Sequence, residues 1–224
     1  MVKGERDYSQ RVIATMRPSG IIGGREIFFE DFESLPEHYT HTPLLFSVTT
    51  TDKEVFTGDG AGKFTLAAGQ DAYLQVNLPP ATPDVYGIEV LFRPLDYNLQ
   101  YFAVASTVYT GTKRYRPGVQ ALYDGTNSLL QIVDSAYTAK TIATLGTGAL
   151  EQGWHILYMR FNMGTGFYEM AQCDSTRLNI ATEPLESTDY LSSPYLNFQL
   201  FGKALSSGAS SVSFDNLYLL FEEL

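Results

Sequence analysis

Four acids and three phenylalanines share the nine residues Glu26 to Ser34, within the stretch REIFFEDFESLP. Carboxylates at alternate positions, as at Asp31 and Glu33, can serve as an acid–base pair or hold a hard cation. They are also what the solvent-facing side of a strand looks like, because strand side chains alternate between faces. The interleaved phenylalanines favour the strand, with a metal role confined to its end.

The remaining groups that could do chemistry are scattered. His38 and His41 form an isolated His-x-x-His beside prolines, and two imidazoles without a carboxylate or thiol make a poor zinc site. Cys173 is the only cysteine, so it forms no intrachain disulfide, and MAQCDST carries no catalytic-thiol signature. Glu89, Asp134 and Glu169 are dispersed along the chain. There is no Gly-x-Ser-x-Gly elbow, no phosphate-cradling glycine loop and no His-Glu-x-x-His. The expectation from the residues is a chain that is not an enzyme.

Recognition chemistry is better represented. Tyr97, Tyr101, Tyr109, Tyr115 and Tyr123 could stack on sugars, and YTGTKRYRPG adds Lys113, Arg114 and Arg116. Loops on rigid scaffolds commonly carry recognition. Tyr109, Lys113, Arg114, Tyr115 and Arg116 are therefore the expected glycan or partner contact.

These side chains need elements to position them, and the pattern is of strands. DAYLQVNLP alternates Tyr73, Gln75 and Asn77 against Ala72, Leu74, Val76 and Leu78, ending at a proline pair. YGIEVLFRPLD sends Ile88, Val90 and Phe92 inward, with Glu89 and Arg93 outward. LQYFAVASTVY reads as a central strand. Asp124-Gly125 and Gly164-Thr165-Gly166 turn two hairpins, while YLNFQLFGKAL and SVSFDNLYLLFEE close the chain. Trp154, Ile156 and Tyr158 oppose His155, Leu157, Met159 and Phe161 on a strand apolar on both faces, making His155 a satisfied structural histidine.

A chain of 224 residues suits one sandwich or barrel, and 44% hydrophobic with 18% charged residues describes a globular chain rather than a disordered one. No run of about 18 apolar residues marks a spanning helix. MVKGERDYSQ lacks the apolar core of a secretory signal. The first 27 residues carry five basic and three acidic side chains, the remainder ten and twenty-two. An acidic body disfavours nucleic acid. A basic arm over residues 1–25, with Arg6, Tyr8, Arg11, Ile13 and Arg17, suits docking on an acidic neighbour, either another copy or another subunit of an assembly.

The order of segments resembles the concanavalin-like, or laminin-G-like, jelly roll. FFEDFES is similar to its opening strand, LYDGTNSLLQIV to its central hairpin, GWHILYMRFNMGTGFYEM to its Trp-His strand and return, and SFDNLYLL to its closing strand. The resemblance implies an all-β, two-sheet antiparallel jelly-roll sandwich over 26–224, behind an extended N-terminal arm. It also implies a structural calcium where the first and last strands meet, at Asp31 or Glu33 with Asp215. The Glu-x-Asp-x-x-Glu of glucanase members is absent, and LQIVDS lacks the lyase histidine. Two functions are expected. One is a virion protein of a phage, as capsid decoration or a tail-associated component docking through its arm, with a virion location. The other is a carbohydrate-binding module or glycan-binding adhesin.

Overall fold

The computed structural model describes residues 25–30, 32, 39–42, 44–51, 54–56, 58–78, 84–191 and 193–222. All regular structure there is β. No helix among the described residues is long and apolar enough to cross a membrane. The expected arm residues Arg6, Tyr8, Arg11, Ile13 and Arg17 lie outside the described residues, as do Asp31, Glu33 and His38.

Two antiparallel sheets make a jelly-roll sandwich, as the segment order implied. The first contains β1 (Arg25–Glu30), β3 (Phe46–Thr49), β4 (Ala61–Leu66), β6 (Val85–Pro94), β12 (His155–Asn162), β13 (Phe167–Cys173), β14 (Thr176–Asn179) and β17 (Ser210–Glu222). Its order is β14-β13-β12-β6-β17-β4-β3, with β1 also on β17. The second contains β2 (Tyr39–His41), β5 (Asp71–Leu78), β7 (Leu99–Tyr109), β8 (Lys113–Tyr115), β9 (Gly118–Tyr123), β10 (Asn127–Val133), β11 (Ala139–Thr147), β15 (Ser187–Asp189) and β16 (Tyr195–Ala204). Its order is β11-β10-β9-β7-β16-β5-β2, with the short pair β8–β15 attached to β7.

Alternation explains the core. On β6, Ile88, Val90 and Phe92 are fully buried, and Leu196, Phe198 and Leu200 on β16 enter the same core from the other sheet. Phe92 stacks on Phe102 with centroids 4.7 Å apart, joining the sheets, and Phe214 packs against Phe64 at 4.7 Å. Aromatic rings of this kind bury large areas and fix the sheet separation by edge and offset contacts. Within the first sheet Gly62 of β4 pairs with Phe214 of β17, and a Cβ at Gly62 would lie 2.2 Å from the Phe214 ring.

One hydroxyl crosses the core. Tyr168, on β13 of the first sheet, accepts from the Gly118 N–H at 2.9 Å and lies 2.9 Å from the Val133 carbonyl, both in the second sheet. Its ring is fully buried, and burial raises its pKa above the ordinary tyrosine value. The bonds satisfy a polar group that would otherwise be costly inside the sandwich.

The outer faces of the sheets differ. On the first, Tyr158 is 1% exposed and Tyr218 and Leu220 are 5% exposed, so its central strands are buried on both faces. This matches the doubly apolar pattern read on the Trp-His strand. The outer face of the second sheet stays partly open along β5, β7, β9 and β16. Among the described residues, this face is the more open of the two along its central strands.

Candidate functional site

That open face is tiled with primary amides. Outward positions of β5 and β16 pair directly, Gln75 with Gln199 and Asn77 with Asn197. The Gln199 amide nitrogen donates to the Gln75 amide oxygen, and Asn197 Nδ2 donates to Asn77 Oδ1 at 2.7 Å. Two strands further on, Gln120 Nε2 donates to Gln131 Oε1 at 2.6 Å, and Gln131 Nε2 to Thr141 Oγ1 at 2.9 Å. Each primary amide has two N–H groups and an oxygen with two lone pairs. These pairings leave N–H groups of Gln75 and Asn77, and amide oxygens of Gln199 and Asn197, for a ligand.

Above this floor lie two hollows that share Thr107 and Gln199. One, of about 230 Å³, runs over β7, β9 and β10 beneath Arg116 and Tyr137. The other, of about 510 Å³, lies over Gln75, Asn77 and Asn197 and ends at Tyr109 and Tyr195. Together they form one cleft with an aromatic wall at each end.

At the first end, the hairpin between β10 and β11 turns on Asp134, whose carboxylate accepts from the backbone N–H groups of Ala136 and Thr138. Those bonds hold the Asp134 carboxyl below its usual pKa. The turn places Tyr137 at φ 60° and 55% exposed. The Arg116 guanidinium lies 3.5 Å from the centre of the Tyr137 ring. Arg116 also donates to both oxygens of Glu186, at 2.9 and 2.6 Å. This fork raises the pKa of Arg116 and lowers that of Glu186, each chiefly through its hydrogen bond to the other.

At the second end, Tyr109 stacks on Tyr195 with centroids 4.2 Å apart, and Tyr190 packs edge-on against Tyr109 at 5.2 Å. Burial, followed by the hydrogen bond with Tyr109, pushes the Tyr195 pKa up to about 12. The β8–β15 pair brings Arg114 over the Tyr190 ring at 5.7 Å, and 4.0 Å from Glu186.

Of the five residues expected to contact a glycan or partner, Tyr109 and Arg116 line this cleft, and Arg114 lies at its rim over Tyr190. Lys113 is exposed beside them. Tyr115 takes the opposite face of β8: it is 8% exposed and belongs to the core, so its ring is not offered to a ligand. Tyr101 lines the cleft, while Tyr97 stands exposed on the turn between β6 and β7.

Sequence reasoning missed Tyr137, Tyr190, Tyr195, Glu186 and most of the amides. One signal was available. YLQVNL and YLNFQL both place two amides on alternate residues of one strand face, and those faces prove to be neighbours.

Asp215 is fully buried at the irregularity in β17, where its register against β6 shifts and Asn216 adopts φ 48°. Its oxygens accept from the Phe56 N–H at 3.2 Å and the Asn216 N–H at 2.7 Å. Calcium takes six to eight oxygens, and among the described residues no three His, Cys, Asp or Glu side chains gather. Asp215 is the one member of the expected calcium set within the described residues, and it does not make a site by itself. Cys173 is 1% exposed and burial raises its thiol pKa, which suits a packed side chain rather than a nucleophile.

His155 is 9% exposed and bonded at both ring nitrogens, Nδ1 to Asp174 Oδ2 at 2.7 Å and Nε2 to the Glu151 carbonyl at 2.9 Å. It is a satisfied structural histidine, as its strand pattern implied.

No family model and no curated protein matches the chain. Solved structures do share its fold. The carbohydrate esterase of the Shiga toxin-encoding bacteriophage phi24B is 16% identical, with a TM-score of 0.54 over 90% of this chain and 100% of that one. The endo-β-1,4-glucuronan lyase of the fungus Trichoderma reesei is 12% identical, with a TM-score of 0.57 over 89% and 96%. The carbohydrate recognition domain of Emp47p is 9% identical, with a TM-score of 0.56 over 92% and 100%. The expectation that this chain is not an enzyme is corrected by these likenesses, since a named esterase and a named lyase share the fold. The absence of a known motif was the ground for that expectation, and motifs do not transfer between families of one fold. At these identities the likeness establishes the two-sheet sandwich that the chain has in common with carbohydrate-active and carbohydrate-recognising domains.

Proposed function

We propose that the chain binds glycans in the cleft over β5, β7, β9, β10 and β16. The observation that carries this reading is the amide floor between two aromatic walls. Sugars present hydroxyls that donate and accept at once, together with apolar ring faces. The floor offers N–H groups and amide oxygens side by side, and Tyr137, Tyr190 and Tyr195 offer ring surface at its ends. Such a mix of apolar walls and few placed polar groups is characteristic of small-molecule sites. The likeness to the Emp47p carbohydrate recognition domain and the phage esterase supports the same reading. A glycan array probed with the wild type and with Gln199→Ala tests it. Selective binding that the substitution weakens is expected, and an array without any retained sugar overturns it.

A second reading, that the chain is a phage virion component docking through residues 1–25, draws on the likeness to the phi24B protein and on the basic excess of the first 27 residues. Deleting residues 1–25 tests it: the sandwich is expected to fold while docking is lost. Calcium at Asp215 with Asp31 and Glu33 is a separate proposal. EDTA lowers the melting temperature if the ion is held, and an unshifted transition removes the idea.

A further inference from the structure

We infer that the cleft is selective for uncharged saccharides and excludes uronates and other acidic sugars; this rests on the glycan-binding reading above. The ground is the charge of the lining. Of the described residues around the two hollows, Arg116 alone is charged. Its Nε–H and one Nη2–H are committed to Glu186, at 2.9 and 2.6 Å, and one face of the guanidinium lies 3.5 Å from the centre of the Tyr137 ring. Glu186 is 5% exposed and also accepts from the Thr188 hydroxyl at 2.8 Å, so the pair is locked from both sides.

A carboxylate entering the cleft would thus lose its water and meet, in the lining, only a guanidinium whose charge Glu186 already offsets. Burying an unpaired charge is strongly unfavourable, and neutral amide N–H groups do not replace a guanidinium fork. Arg114 sits at the rim, stacked over Tyr190 and 4.0 Å from the same Glu186, so its charge is drawn toward that carboxylate as well. The formal charge of −10 on the whole chain adds a long-range repulsion for polyanions. A neutral sugar meets none of these costs. Its hydroxyls can take the N–H groups of Gln75 and Asn77 and give to the oxygens of Gln199 and Asn197, and each such exchange is a neutral hydrogen bond.

The experiment compares two oligosaccharide sets by calorimetry on the full chain. One set is neutral (cello-, laminari-, manno- and galacto-oligosaccharides), and the other acidic (glucuronan, alginate and polygalacturonate oligomers). Binding confined to members of the neutral set is expected. Binding of uronates in preference to neutral sugars overturns the inference while leaving the glycan reading in place, and no binding in either set overturns both. The variant Glu186→Gln, with its fold checked by circular dichroism, frees Arg116 and is expected to raise uronate affinity by about tenfold. Unchanged uronate affinity in Glu186→Gln shows that the neutralised arginine is not what excludes acids, and also overturns the inference.

Discussion

The rings of Tyr109 and Tyr195, direct partners across β7 and β16, stack with centroids 4.2 Å apart and planes 23° from parallel. The pair closes one end of the amide-floored cleft, and its outer surface is the aromatic face nearest Asn77 and Asn197.

Replacing Tyr195 by Ala removes that face from a strand whose core side is untouched. Affinity for a bound oligosaccharide is expected to fall about fivefold to tenfold, with little change in melting temperature. Tyr195→Phe keeps the ring and is expected to retain most of the binding. Titration calorimetry on the two variants checks the split. Equal loss in both would assign the effect to the hydroxyl.

His155 faces two acceptors, so both ring nitrogens are best satisfied when both carry protons. Burial works against the imidazolium, but the Asp174 carboxylate and the Glu151 carbonyl outweigh it and raise the pKa above the usual histidine value. A raised folded pKa contributes stability that is complete below about pH 6.5, the unfolded value, and is lost as pH rises through the folded one. The melting temperature of the wild type minus that of Asp174→Asn should therefore shrink as pH rises from about 6.5 through the raised folded value. Asn tolerates the positive φ of 51° at position 174, so the comparison isolates the charge. A difference that stays constant with pH would refute the coupling.

Tyr168→Phe leaves the ring and removes the hydroxyl that joins β13 to Gly118 and Val133. The unpaired Gly118 N–H is buried, so a loss of about 1–3 kcal/mol is expected in denaturant unfolding. Gly118 and Val133 also line the cleft, so ligand affinity should weaken as well. A variant as stable as the wild type would mean that water or a neighbouring group replaces the bond.

Most of the sandwich was legible in the sequence because its long strands alternate cleanly. LQYFAVASTVY is β7 to the residue, and Asp124-Gly125 and Gly164-Thr165-Gly166 mark real hairpins. The short strands β2, β8, β14 and β15 carry too few residues for a period to show. The cleft was half legible. Tyr109, Arg114 and Arg116 sit in one basic, aromatic loop that composition exposes. Tyr190, Tyr195 and Glu186 lie some seventy residues or more further along, brought back by the β8–β15 and β7–β16 pairings. Nothing local in sequence announces such non-local pairing. Tyr115 was misjudged for a different reason: on a three-residue strand, alternation alone decides which side chain turns inward, and it turned Tyr115 into the core.

The most direct test of glycan binding is chemical-shift mapping with an isotope-labelled chain and an oligosaccharide identified on the array. The side-chain amide signals of Gln75, Asn77, Asn197 and Gln199 are expected to move together and to saturate at one affinity. Shifts confined to the first sheet, or to loops away from these four amides, would contradict a binding site on this face.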